Sequence, residues 1–146
     1  MRILGLSGNL RAASIHTALL NAAAHTAPAG VEMTVFGGLG SLPHFNPDLE
    51  DQEFGSVSAF RAALNAADAV LIACPEDAHG LPGAFKNALD WVVGSGELSG
   101  KRVLNAVLIG GPHGAANVLD VSGASKTIQG MWRSLLQTAT EAGTPS

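Results

Sequence analysis

The chain has 146 residues, 47% of them hydrophobic and 14% charged, and its 12 acidic and 8 basic side chains leave a formal charge of −4. A chain this long buries roughly 68–70% of its extended surface in one domain, here spanning residues 1–146. This composition excludes a disordered segment and the strongly basic face that nucleic acid demands. The lone cysteine cannot close an internal disulfide, no apolar run nears the roughly 18 residues of a membrane span, and the start Met1-Arg2-Ile3-Leu4-Gly5-Leu6 lacks the layout of a signal peptide. The expectation is a cytoplasmic protein that binds neither nucleic acid nor membrane.

The elements follow in chain order. Ile3-Leu4-Gly5-Leu6 is a short apolar run stopped by Ser7-Gly8-Asn9, and Ser14 suits the N-cap of a helix through Ala24, closed by Pro28 and Gly30. Val31 to Phe36 alternates apolar and polar residues and predicts a strand. Gly37 to Glu50, rich in Gly, Pro, Asn and Ser, predicts a loop. A helix is expected over about Phe54 to Ala67, with Val57, Phe60, Leu64 and Ala67 on one face. Ala69-Val70-Leu71-Ile72-Ala73-Cys74 is apolar throughout, the pattern of a strand covered on both faces, and Pro75 ends it. Gly83 to Val93 predicts a helix, Val103 to Ile109 a strand, and Ile128, Met131, Trp132, Leu135 and Leu136 repeat at helical spacing. Such alternation of strands and helices means a parallel α/β sheet with helices on both faces.

Ligands of such sheets bind beyond the carboxyl ends of the strands, so the strand-to-helix loops carry the chemistry. Several motifs can be excluded there. Ser7 to Ser14 lacks the glycines of G-x-G-x-x-G. Gly5-Leu6-Ser7-Gly8-Asn9 misses the last glycine of a hydrolase elbow. Gly100-Lys101 has Ser95 and Arg102 where a P-loop needs Gly and Ser or Thr. His16, His25, His44, His79 and His113 show no metal-ligand spacing, so no metal is expected. What the first loop offers is a phosphate cradle: Ser7, Asn9 and Ser14 are short and polar, Arg11 is a planar cation, and a helix start favours anions. The residues alone read equally well as a plain helix cap beside a solvated arginine.

The second loop is more specific. Pro75-Glu76-Asp77-Ala78-His79-Gly80-Leu81-Pro82-Gly83, followed by Lys86-Asn87-Ala88-Leu89-Asp90-Trp91, resembles the P-E-Y-x-x-x-x-P-G…K-N-A-x-D-W signature of the NADPH-dependent FMN reductase family. Gly8 to His16 is similar to that family's G-S-x-R-x-x-S-x-N phosphate loop, and Leu42-Pro43-His44-Phe45-Asn46 to its L-P-x-F/Y-N segment. The resemblance runs in order from Arg2 to about Trp132.

It implies a flavodoxin-like three-layer sandwich with helices on both faces of the sheet. The FMN phosphate would fall to Ser7, Asn9, Arg11, Ser14 and the Ile15-His16 backbone. The ring edge would fall to Pro75, Glu76, Asp77, His79 and Gly80, with Gly111 in a third loop that reads equally as a ligand-free glycine turn. NADPH or NADH would be the co-substrate, and a quinone, azo compound, metal oxyanion or free flavin the acceptor. No catalytic acid or base is expected, because the cofactor carries the hard step. Cys74, Trp91, Met131 and Trp132 are expected in the core, and Asn87 and Asp90, as part of the signature, are expected to fix their helix against the signature loop.

The chain departs from the family at Asp77, where an aromatic residue is usual, at His16, where asparagine is usual, and after Trp132. Thr138 to Ser146 is too short and polar for a fifth strand and a last helix, so the expected order is 2-1-3-4 with the fifth strand missing. That leaves an apolar edge open to pairing, and a homodimer or homotetramer is the expected remedy. Two competing readings stand beside the enzyme. One is a flavin-free or loosely flavinated binding protein of the same fold; the other is an electron carrier, which lacks support because a Thr-rich phosphate loop is absent.

Overall fold

A computed structural model describes residues 1–75, 80–107, 128–130 and 132–133. Glu76, Asp77, His79 and Gly111, with Met131, Leu135, Leu136 and the segment after 133, lie outside the described residues. Strand β1 covers Arg2–Ser7, helix α1 Ile15–His25, β2 Glu32–Phe36, α2 Gly55–Ala66, β3 Ala69–Cys74, α3 Gly83–Val93 and β4 Arg102–Val107. All neighbouring strands run parallel, in the order β2-β1-β3-β4, which bears out the expected order.

Alternation along the two central strands builds a core on each face. From β1 and β3, Leu4, Leu6, Val70, Ile72 and Cys74 face Val57, Phe60 and Leu64 of α2 and Phe85, Ala88 and Trp91 of α3. Ile3, Ala69, Leu71 and Ala73 face the opposite way, against Leu19, Leu20 and Ala23 of α1, with Met33, Ile128 and Trp132. All six residues of β3 are buried, as the unbroken apolar run demanded. Cys74, Trp91 and Trp132 are core residues as expected, at 3%, 1% and 7% exposure. Because α1 covers one face and α2 and α3 the other, the winding reverses between β1 and β3, and the crevice at that reversal is where such folds hold their ligands.

Helix α1 ends at His25, one residue past the expected Ala24 and ahead of Pro28, where the Thr26 hydroxyl donates to the carbonyl of Ala22 at 2.8 Å and closes the last turn. The expected loop from 37 to 50 contains two short 3-10 turns, Leu39–Ser41 and Pro47–Leu49, with Leu39 and Leu42 sunk into the α2–α3 core. Among the described residues β4 forms an edge of the sheet, with Val103 44% exposed, and no described helix is long and apolar enough to cross a membrane.

Candidate functional site

The loop from β1 to α1 is built by local hydrogen bonds that its sequence dictates. Asn9 accepts from the Arg11 amide through Oδ1 at 2.9 Å, an Asx turn. The Ser14 amide donates to the Arg11 carbonyl at 3.1 Å, and Ser14 Oγ then caps α1 by accepting from the Thr17 amide at 3.2 Å. Thr17 Oγ1 in turn donates to Ser7 Oγ at 2.8 Å, tying the helix to the end of β1. Longer contacts of 3.3 and 3.4 Å join Ser7 Oγ to the backbone of Asn9. With Thr17 capped, the N–H of Ile15 at the head of the helix has no intrahelical acceptor and is a donor for an anion. Arg11 is exposed, and among the described residues no carboxylate pairs with it.

Gly8 locks this loop to the neighbouring strand. Its amide donates to the Ala73 carbonyl at 2.9 Å. A β-carbon at Gly8 would stand 2.2 Å from Cys74 Sγ, 3.2 Å from its Cβ and 3.4 Å from its Cα. Glycine is therefore required by close approach, at the crevice between β1 and β3 itself.

An open cleft of about 290 Å³ lies on the other side of the loop, between the ends of β1 and β2, lined by Ser7, Asn9, Leu10 and Arg11 together with Thr17, Phe36, Leu39 and Gly40. Of the sequence-predicted residues it gathers Ser7, Asn9 and Arg11. Ser14 and Ile15 head the adjoining helix, and His16 sits there with its imidazole buried at 2% exposure. The cleft and the β1–β3 crevice thus share one wall, the 8–14 loop. Pro75 is half-buried where β3 ends, and Gly80 is exposed just before α3.

Sequence reasoning missed Thr17, Leu10 and the 39–40 turn. The Ser-x-x-Thr spacing from Ser14 could have exposed Thr17; nothing local marks the others. The signature loop that Asn87 is expected to hold lies partly outside the described residues; the segment against which Asn87 is anchored in the described structure is 43–45. Asn87 Oδ1 accepts from the Phe45 amide at 2.7 Å, its Nδ2 donates to the Pro43 carbonyl at 2.9 Å, and Trp91 Nε1 donates to the same carbonyl at 2.7 Å. Among the described residues Asp90 pairs with Lys86 one turn earlier on α3. That side-chain pairing follows from the i, i+4 spacing, which puts the two on one face of the helix. Among the described residues no group of acidic, His or Cys side chains could hold a metal ion.

A family model described as NADPH-dependent FMN reductase matches residues 1–133. An NAD(P)H-dependent FMN reductase of Pseudomonas aeruginosa is 36% identical over 92 residues, 62% of this chain and 49% of that protein. The quinone reductase of Escherichia coli K12 is 30% identical over 108 residues, 71% of this chain and 57% of that one. The chain therefore spans about half the length of the curated relatives it matches. Among solved structures, the flavoenzyme NAD(P)H:(acceptor) oxidoreductase FerB of Paracoccus denitrificans superposes with a TM-score of 0.66 at 29% identity, over 73% of this chain and 59% of FerB. With its phosphate-loop sequence, its signature helix and its strand order in agreement with that match, the chain belongs to the NADPH-dependent FMN reductase family.

Proposed function

We propose that this chain binds FMN and serves an oxidoreductase that moves hydride from NADPH or NADH to a small-molecule acceptor. The observation that carries the reading is the preorganised 7–17 loop, which brings together the head of α1, the cap at Ser14 and Arg11, which no carboxylate among the described residues pairs with. Its donors fit a phosphate monoester: a planar cation, an uncapped amide at Ile15 and short hydroxyls already held in place. When bound, FMN supplies the hydride acceptance and electron delivery that no side chain here could perform.

The chain's own part is binding and positioning. Ser7, Asn9, Arg11 and Ser14, with the backbone of Ile15 and His16, take the phosphate, and the positive end of α1 offsets its charge. Pro75, Glu76, Asp77, His79 and Gly80 are assigned to the ring edge, and Gly111 to a third loop that closes over the ring or ribityl side. The Gly8–Ala73 bond fixes the spacing between these two loops. Quinones, azo compounds, metal oxyanions and free flavin all belong to the proposed acceptor class. A homodimer or homotetramer covering the β4 edge belongs to the same proposal, and a stable monomer by light scattering would remove that part. A reducing, cytoplasmic setting suits a single buried cysteine outside any disulfide.

The test is the visible spectrum of the purified protein and a titration of the apo form with FMN. A flavin band that bleaches with NADPH under nitrogen supports the reading. No binding with FMN in excess would leave the competing reading, a binding protein that kept the scaffold alone.

A further inference from the structure

We infer that Asn87 is a positioning residue for the Arg11 guanidinium, acting through the segment from 39 to 45; this rests on the FMN-binding reading above. Asn87 and Trp91 project from α3 and converge on the backbone of Pro43 and Phe45 through three hydrogen bonds of 2.7 to 2.9 Å. The Phe45 and Phe54 rings stand edge-on to the Trp91 indole, with centroids 5.2 and 5.7 Å away. This segment is therefore pinned at its far end. At its near end Leu39 and Leu42 are buried, at 3% and 8% exposure, and the Ser41 amide closes the turn onto the Gly38 carbonyl at 3.1 Å.

Between the pins lies Gly40, packed under Leu10. A β-carbon there would be 3.4 Å from both Leu10 methyl groups. Leu10 is 57% exposed, and the turn beneath packs against its methyl groups. Arg11 follows directly in the chain and lines the same cleft as Leu10, Leu39 and Gly40. The path runs by hydrogen bonds from Asn87 to the backbone of Pro43 and Phe45, along the chain to Leu39 and Gly40, and by packing to Leu10, the chain neighbour of Arg11. A long arginine side chain loses much rotamer freedom on engaging a phosphate, and a fixed floor beneath the preceding residue lowers that loss. Asn87 lies on the family signature, but the signature in sequence says nothing of the phosphate loop 76 residues earlier.

The test pairs two ligands with two substitutions. FMN carries the phosphate and riboflavin does not, so riboflavin reports on the ring site alone. Asn87→Ala is expected to weaken FMN about tenfold, about 1.4 kcal/mol, while riboflavin affinity changes less than twofold. In an Arg11→Ala background the same Asn87 substitution is expected to change FMN affinity less than twofold, because the group it positions is gone. If Asn87→Ala does not fold, Trp91→Phe removes the indole donor to Pro43 together with part of the buried ring volume, and is expected to weaken FMN twofold to fourfold with the same ligand pattern. Equal losses for FMN and riboflavin, or full additivity with Arg11→Ala, would overturn the inference and leave Asn87 a plain scaffold residue. Unchanged FMN affinity in the folded Asn87→Ala protein overturns it as well. Wild-type protein that binds neither ligand fails the FMN reading itself and takes this inference down with it.

Discussion

Gly8→Ala is the substitution whose effect the structure dictates most closely. The added methyl would sit 2.2 Å from Cys74 Sγ, far inside van der Waals contact. Rotating the thiol away relieves the closest contact but not all of it, because Cys74 Cβ at 3.2 Å must still give by a few tenths of an ångström, and Cys74 is itself 3% exposed in a filled core. The loop must therefore lift, stretching the Gly8–Ala73 hydrogen bond. Overpacking of this kind costs about 1–3 kcal/mol, and for a chain near this size each kcal/mol lowers the melting temperature by about 2–4 °C. Urea unfolding at constant slope gives the loss directly. The cause can be isolated by removing the thiol: Cys74→Ala should recover part of the loss, with a coupling of roughly 0.5–3 kcal/mol between the two sites. A Gly8→Ala protein within about 0.5 kcal/mol of wild type, which is the range of ordinary surface changes, would show that the two strands are not held as closely as described. So would strict additivity with Cys74→Ala.

Further substitutions test other parts of the loop and sheet. Arg11→Ala should weaken FMN roughly tenfold or more, in line with about 1.5–3 kcal/mol for a charged hydrogen bond, and should flatten the salt dependence seen by fluorescence titration; unchanged affinity would remove the arginine from the site. Ser14→Ala leaves the Thr17 amide without its acceptor and should cost about 1 kcal/mol in urea unfolding, whereas a loss below a few tenths would mean the cap is dispensable. The Asp68 carboxyl is held below its ordinary value, chiefly by the hydrogen bond it accepts from the Arg2 amide, aided by the charges of Arg2, the N-terminus and Lys101. A lowered folded value means its contribution is present above the unfolded value of about 3.9 and fades as pH falls through the folded one. The stability difference between wild type and Asp68→Asn should accordingly be constant above about pH 5 and shrink below about pH 4; a difference that grows on acidification would refute the sign.

Local patterning carried a good deal of this protein. The unbroken apolar run from Ala69 to Cys74 announced a strand covered on both faces, and it is buried throughout. Ser14 announced a cap because a short hydroxyl ahead of an apolar-periodic stretch satisfies an amide three residues on, and the hydrogen bond to Thr17 is there. The signature around Lys86 to Trp91 pointed to the family over most of the chain. These features are legible because each is set by neighbours within a few residues, where helix and strand periodicity decides which side chains meet water.

Tertiary structure decided the rest. Nothing near Gly8 in the chain says that Cys74 will press against it, since that contact exists only because β1 and β3 pair in one particular register. Asn87 could be placed on the signature, but its partners Pro43 and Phe45 follow from how α3 lies across the 37–46 segment. Asp90 shows the converse among the described residues, where i, i+4 geometry pairs it locally with Lys86. Periodicity specifies which face of an element is apolar, whereas the identity of the facing element depends on the summed packing of the whole core. The phosphate loop stands at that division, with its cap and turn written in eight consecutive residues, Ser7 to Ser14, and its seat against β3 set by the fold.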